Sequence, residues 1–364
     1  MSVDVQAPLG QPLRYPTLYF DDGDLVIHAG RDGETPALLF KVHTAILGHF
    51  SPVFRDMLSL PAGAQSRETH DGVPLVRVQD DAVAMTQLVN ALYNPGEPVF
   101  ERTDPDFAQD VYELMNVARK YQVDSLCNRI VRHIEQQWPR MPDAYVQQHG
   151  AIRNADKARS TLQEDAHGWP QLPCIFLQFP EPASAIRLAT AFDIPGVLPA
   201  AYYALSTTHP GHTWAGARPG QAVRPAKWDL LDDGALLRHF HGKYALALRW
   251  GETEAKLLAF FDSREDNPCP KRPQASRVRD ARWTCYTALL DIVHGRLRVK
   301  ANTARDAMLD DVLTADPLME MYELAEDTRT WLDLCTTCRE ATRRYLVRQM
   351  RELWEELPKI FKVQ

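Results

Sequence analysis

Long apolar runs are missing from this sequence. No stretch approaches the ~18 consecutive apolar residues that a membrane-spanning helix requires, so no membrane partner is expected. An excess of positive charge is missing too. The 364 residues carry 41 Lys and Arg against 48 Asp and Glu, a formal net charge of −7. That balance argues against non-specific nucleic-acid binding by the whole molecule, though it leaves room for a local basic patch. Cysteine is sparse: Cys127, Cys174, Cys269, Cys285, Cys335 and Cys338 are spread unevenly. A disulfide framework is therefore not expected, and a reducing compartment is, cytoplasmic and/or nuclear. The opening "MSVDVQAPLGQPLRYP" has neither a basic n-region nor an apolar h-region, so no secretory signal is expected. A Gly-rich phosphate loop, H-E-x-x-H, G-x-S-x-G and a paired-carboxylate motif are all absent. The chain reads as a non-enzyme without a cofactor.

What is present is an ordinary globular composition, 45% hydrophobic and 24% charged, in a chain long enough for two domains. "DLVIHA" from Asp24 and "ALLFKV" from Ala37 flank a Gly/Asp/Pro connector, which predicts a hairpin of two short strands. Ile46, Leu47, Phe50, Phe54 and Leu58 then recur at three- and four-residue steps. Ser51-Pro52 restarts that helix as N-cap and first residue. After a polar loop over 61–72, "VPLVRVQ" predicts a third strand with Arg77 outward. Asp80 or Asp81 caps a helix through "AVAMTQLVNALY". Asp104-Pro105 opens a helix with Phe107, Val111, Leu114, Ala118 and Tyr121 on one face. Asp124 caps the next, with Leu126, Ile130 and Ile134 as its stripe. Beyond "WPRMP" at 138–142 strand signals nearly vanish, and helical segments alternate with Pro- and Gly-rich loops. The fold class is therefore α+β followed by all-α. The expected division is a flexible N-terminus over 1–14, a mixed domain over 15–140 and a helical domain over 141–364.

The first domain resembles the BTB/POZ domain. Its pattern is D-hydrophobic-x-hydrophobic, F-x-x-H-x-x-L, S-x-x-F, a third strand and a helix ending in L-Y. Asp24, Phe40, His43, Leu47, Ser51, Phe54 and Tyr93 fall on those positions in order. The remainder resembles the BTB proteins expanded in basidiomycete fungi, through "IRLATAFDIPGVLPAAYYAL" (186–205), "LLDDGALLRHFHGKYAL" (230–246) and the C-x-x-C…W-E-E-L-P-K-I-F ending. The resemblance implies a short mixed sheet with helical hairpins, and structural rather than catalytic roles for Asp24, His43 and Ser51. It also implies protein partners, reached by a homodimer through this domain or by docking to a cullin, with Tyr93 at the cullin-contacting position. Dimeric repressors of the family pair the Asp at position 24 with a cation directly after the His. Here that place is Thr44, so Asp24 is left to be solvated, to cap a local turn or to pair with Lys41. Cullin adaptors favour a hydrophobic residue where Ser66 stands. The apolar arm "LRYPTLYF" (13–20), with Tyr15, Leu18 and Phe20, is a candidate self-association surface.

Three features of the sequence carry groups capable of chemistry. Cys335 and Cys338 form a C-x-x-C that could supply half a tetrahedral zinc site. The other half would come from Cys269, Cys285 or a histidine such as His294, at no standard spacing. Packing is the simpler account, since Trp331, Cys335, Cys338, Thr342 and Tyr345 share a stripe and free cysteine is readily buried, so no metal ligand is assigned. The basic run "KRPQASRVRDAR" (271–282) would serve an alternative function, a transcription regulator acting on DNA, but it has no aromatic interleaving and no finger pattern. His209, His212 and Trp214 would be the place for an enzyme pocket, and the Pro and Gly around them predict a surface loop instead. The reading is a protein–protein interaction module acting as scaffold or adaptor.

Overall fold

The computed structural model describes residues 12–30, 37–60, 68–96, 104–150, 179–211, 213–216, 225–263, 269–270, 284–292, 316–326 and 331–363. Ser66, Cys174, His212, His294 and the basic run at 271–282 lie outside them. The chain divides into two units, residues 1–134 and 135–364.

In the first unit, strands β1 (Leu13–Tyr19), β2 (Leu25–Ala29), β3 (Leu38–Val42), β4 (Thr69–His70) and β5 (Val73–Val78) form a five-stranded mixed sheet. The order is β1-β3-β2-β5-β4; β1 runs parallel to β3 and β2 parallel to β5, while β2–β3 and β4–β5 are antiparallel. The central strand β2 buries Leu25, Val26, Ile27 and Ala29. Consecutive buried residues on a strand mean that both faces are covered, which is why "LVI" reads as a run rather than an alternation. The expected hairpin of β2 and β3 and the outward Arg77 are both found, and Arg77 pairs with Glu68.

The helices of this unit are α1 (Thr44–Phe50), α2 (Pro52–Ser59), α3 (Ala82–Tyr93), α4 (Phe107–Asp110), α5 (Tyr112–Lys120) and α6 (Asp124–Gln137). Ser51 is the N-cap of α2 as expected: its Oγ accepts from the Phe54 N–H at 3.1 Å and donates to the Tyr121 carbonyl. Asp81, not Asp80, caps α3, accepting from the Ala84 N–H. Asp80 is buried and accepts instead from Lys120 Nζ at 2.7 Å and the Tyr121 hydroxyl at 2.7 Å.

Four expectations change. The stretch from Asp104 is two helices broken at Val111, and Asp104 holds the Asp106 N–H in a turn before the first of them. Asp124 is the first residue of α6, and the carbonyl of Val123 takes the bonds that open it. The polar loop ends in the β4–β5 hairpin, turned by Asp71 (φ 48°) and Gly72 (φ 78°). Two successive positive-φ residues match the twist of the flanking strands, and Asp-Gly is the dipeptide that adopts them. Finally, residues 13–20 are not a free arm. They are strand β1 and its exit, paired with β3 from Leu13↔Leu38, and Leu18 is buried.

The second unit is helical: a helix over 142–150 (α7), α8 (Pro182–Phe192), α9 (Leu198–Ser206), α10 (Asp233–Asp262), α11 (Thr284–Ile292), α12 (Pro317–Glu326) and α13 (Thr336–Ile360). Among the described residues its only β pairing is the isolated bridge Thr213↔Ala226. Every residue from Ala200 to Ser206 is buried, and α8, α10 and α13 all pack against α9. A helix apolar all round belongs in the middle of a bundle. Gly242 on α10 is where the buried Phe361 ring lies against the backbone, and a Cβ there would overlap it.

Polar groups inside this unit are satisfied over long sequence distances. Glu181 is buried and accepts from the N–H groups of Ala183, Ser184 and Lys227, capping α8 while holding a remote strand of chain. Asp316 is buried and accepts from the hydroxyls of Tyr203 at 2.8 Å and Tyr145 at 3.1 Å, and from the Met319 N–H.

Candidate functional site

In the first unit the predicted residues Phe20, Asp24, His43 and Tyr93 meet at one corner. His43 is the N-cap of α1 and Tyr93 the last residue of α3. The His43 N–H donates to the Tyr93 oxygen at 2.8 Å, and that hydroxyl lies 2.9 Å from His43 Nδ1. The other ring nitrogen, Nε2, lies 3.3 Å from the Asp22 carboxylate. The Phe20 ring stacks on Tyr93 at 4.8 Å and tilts against His43 at 5.4 Å. Burial pushes the Tyr93 phenol up, with Asp24 and Asp22 adding to the rise against the bond from His43.

Asp24 resolves its three alternatives in favour of capping. Its two oxygens accept from the Thr44 N–H and the Thr44 hydroxyl, both at 2.7 Å, while Lys41 Nζ donates to the Asp21 carbonyl. Burial raises the Asp24 carboxyl, but the Thr44 bonds and the nearby His43 outweigh it and hold the group below its ordinary value. Thr44 thus replaces the missing cation with two neutral donors. Ser51 stands apart from His43, engaged with Tyr121 and Phe54, so the two do not form a nucleophile–base pair. Tyr15 is half-buried with its ring 5.8 Å from Phe40. Of the four residues proposed to bind protein, Leu18 is withdrawn from the surface and Tyr93 is tied inward through its hydroxyl.

The second unit holds two features. One face of α10 carries Leu237, Phe240, Tyr244 and Leu248, exposed by 70%, 57%, 66% and 54%. Steps of three and four residues put them in a single stripe. The other is a cysteine cluster. The sulfurs of Cys269, Cys285, Cys335 and Cys338 all lie within 4.8 Å of one another, and Cys269 and Cys335 are 3.9 Å apart. No disulfide joins any of the four. Three segments contribute: the chain at 269–270, the first turn of α11 and the start of α13. The stripe expected over Trp331–Tyr345 holds only from Cys338 onward, because Cys335 precedes the helix as its N-cap. The Cys335 N–H donates to Cys285 Sγ at 3.4 Å. Burial pushes the Cys285 and Cys338 thiols up, that of Cys338 strongly. Burial also opposes ionisation of Cys335, yet the Cys338 N–H and the surrounding thiols hold it below its usual value. Sequence spacing named Cys269 and Cys285 as candidates but had no means of choosing them over a histidine.

His209 turns back on its own loop, accepting the Gly211 N–H at Nδ1, and Trp214 lies in a 3-10 turn with Lys227 Nζ 5.7 Å from its ring centre. Among the described residues no helix is long and apolar enough to cross a membrane. Against known proteins, residues 23–137 match the family model of the BTB/POZ domain. No curated protein matches the chain.

Proposed function

We propose that this chain, whose residues 23–137 are a BTB/POZ domain and so a protein–protein interaction module, works as a scaffold or adaptor. The domain joins the chain to a second copy or to a cullin, and the helical unit selects the client. The family match is the observation that carries this reading. The stripe on α10 supports its second half: four large apolar side chains in one exposed row are what a helix-in-groove or helix-on-helix partner would cover. The fungal likeness of the helical unit and a cytoplasmic or nuclear setting belong to the same proposal, and no catalytic step is assigned. The DNA-directed alternative rests on the segment 271–282 alone, and nothing in the described residues adds to it.

The test is light scattering behind size exclusion on the full chain over a range of concentration, with cullin capture measured in parallel. A dimer, or one-to-one capture, is expected. Monomers that also fail to capture a cullin would sink the reading. Tyr93→Ala separates the two modes, since loss of capture with an unchanged melting curve would mark docking through that residue.

A further inference from the structure

The cysteine cluster is more than a patch of buried thiols. Thiols that merely fill a core have no reason to converge from three segments, whereas four sulfurs this close together can all reach one ion. With a zinc–sulfur bond of about 2.3 Å, the edge of a tetrahedral tetrathiolate is about 3.8 Å. The Cys269–Cys335 separation of 3.9 Å is that edge, and no pair exceeds 4.8 Å. We propose that Cys269, Cys285, Cys335 and Cys338 bind a single zinc ion that ties the segment at 269 and the starts of α11 and α13 together.

The surroundings suit a thiolate site. Cys335 sits at the N-cap of a 25-residue helix and Cys338 in its first turn, while Cys285 lies in the first turn of α11. The sulfurs therefore lie at the starts of two helices, the positive ends of their dipoles, where negative charge is favoured. The Cys335 N–H already bonds Cys285 Sγ, an outer interaction of the kind that orients a metal ligand. Cys269, Cys285 and Cys338 are buried and Cys335 is half-buried, so the four protein ligands close the site. A closed site of four thiolates has no open position for substrate, and its role is structural. Binding displaces four thiol protons to solvent and involves no change of oxidation state. An iron–sulfur cluster would hold its ligands around a core of several irons and sulfides, farther apart than these sulfurs lie. A single soft divalent ion fits, and zinc is the one that four thiolates in tetrahedral array suit.

The experiment is elemental analysis of the full chain purified under reducing conditions without chelator. One zinc per chain is expected, falling to near zero in Cys285→Ser and in Cys338→Ser but retained in Cys127→Ser, which lies outside the cluster. If the cluster variants do not fold, the wild type answers the question alone. The four cluster thiols should resist alkylation until a zinc chelator is added, and chelation should lower Tm by about 10 °C or more, reversed by zinc. One iron in place of zinc would keep the tetrathiolate site and overturn the identity of the ion. Absence of metal even after zinc is supplied, with cluster thiols alkylating as fast as Cys127, would overturn the site. A disulfide among the four in the purified reduced protein would do the same.

Discussion

The helix-capping side chains of the two units differ in how much each gathers from remote parts of the chain. In the first unit the caps Ser51 and Asp81 each accept from an N–H three residues on, Ser51 adds one remote bond to the Tyr121 carbonyl, and the remote donors Lys120 and Tyr121 go to Asp80 beside the cap. In the helical unit Asp316 gathers hydroxyls from Tyr203 and Tyr145, and Glu181 reaches Lys227. Local satisfaction survives small movements of the fold. Remote satisfaction exists only when the whole unit has assembled, so its loss should cost more and be more cooperative.

Asp316→Ala is expected to have the largest effect. It strands two buried tyrosine hydroxyls and the Met319 N–H, at about 3–5 kcal/mol, read from urea denaturation of the full chain. Asp316→Asn should recover part of that loss by accepting some of the same bonds. Equal tolerance of both substitutions would mean that the remote network is not what holds the helical unit.

Acid should come next. His239 on α10 is fully buried against Trp228 and Phe240, with neither ring nitrogen bonded among the described residues. Burial, and then the positive charge of Lys243, depress its pKa to about 4. Lys243 is itself lowered by burial to about 8. A histidine whose folded pKa is depressed binds fewer protons folded than unfolded, so stability is whole above pH ~6.5 and falls as the pH drops toward 4. The loss should approach roughly 3 kcal/mol, and His239→Phe should flatten the slope of Tm over that window. Asp24 adds to acid loss in the other unit, because its lowered carboxyl is protonated only at still lower pH.

The smallest effect is expected at Ser51→Ala. It removes one N-cap bond and the donor to the buried Tyr121 carbonyl, for about 1–2 kcal/mol. A loss as large as that of Asp316→Ala would abolish the contrast between local and remote satisfaction.

Much of the first unit was legible beforehand. Strand runs at 25–29 and 38–42, the Ser51-Pro52 restart and the stripe of Leu126, Ile130 and Ile134 all depend on periodicity and capping within a few residues. The errors cluster where a competing partner intervened. Asp80 and Asp81 are equivalent as caps in sequence, and only the approach of Lys120 and Tyr121 separates them. The pairing of β1 with β3 leaves no trace in the segment 13–20, because the partner strand comes some twenty residues later in parallel register, for which no turn leaves a signature. The Asp71-Gly72 turn is legible as a dipeptide, but the strand it opens from has only two residues and no periodicity to mark it.

In the helical unit the sequence by itself determined the class of structure and the residues with metal-binding chemistry. It held Cys335 and Cys338 at a spacing that lets both face one point, and it kept Cys269 and Cys285 available. Which of the candidates would join them, and whether Asp24 would cap, solvate or pair, was decided by tertiary structure. Cap and stripe patterns are written in neighbours three or four residues apart, whereas a four-sulfur cluster drawn from 269, 285, 335 and 338 depends on where entire helices pack. That packing is set by apolar surfaces spread over the unit, and no short window of residues contains it.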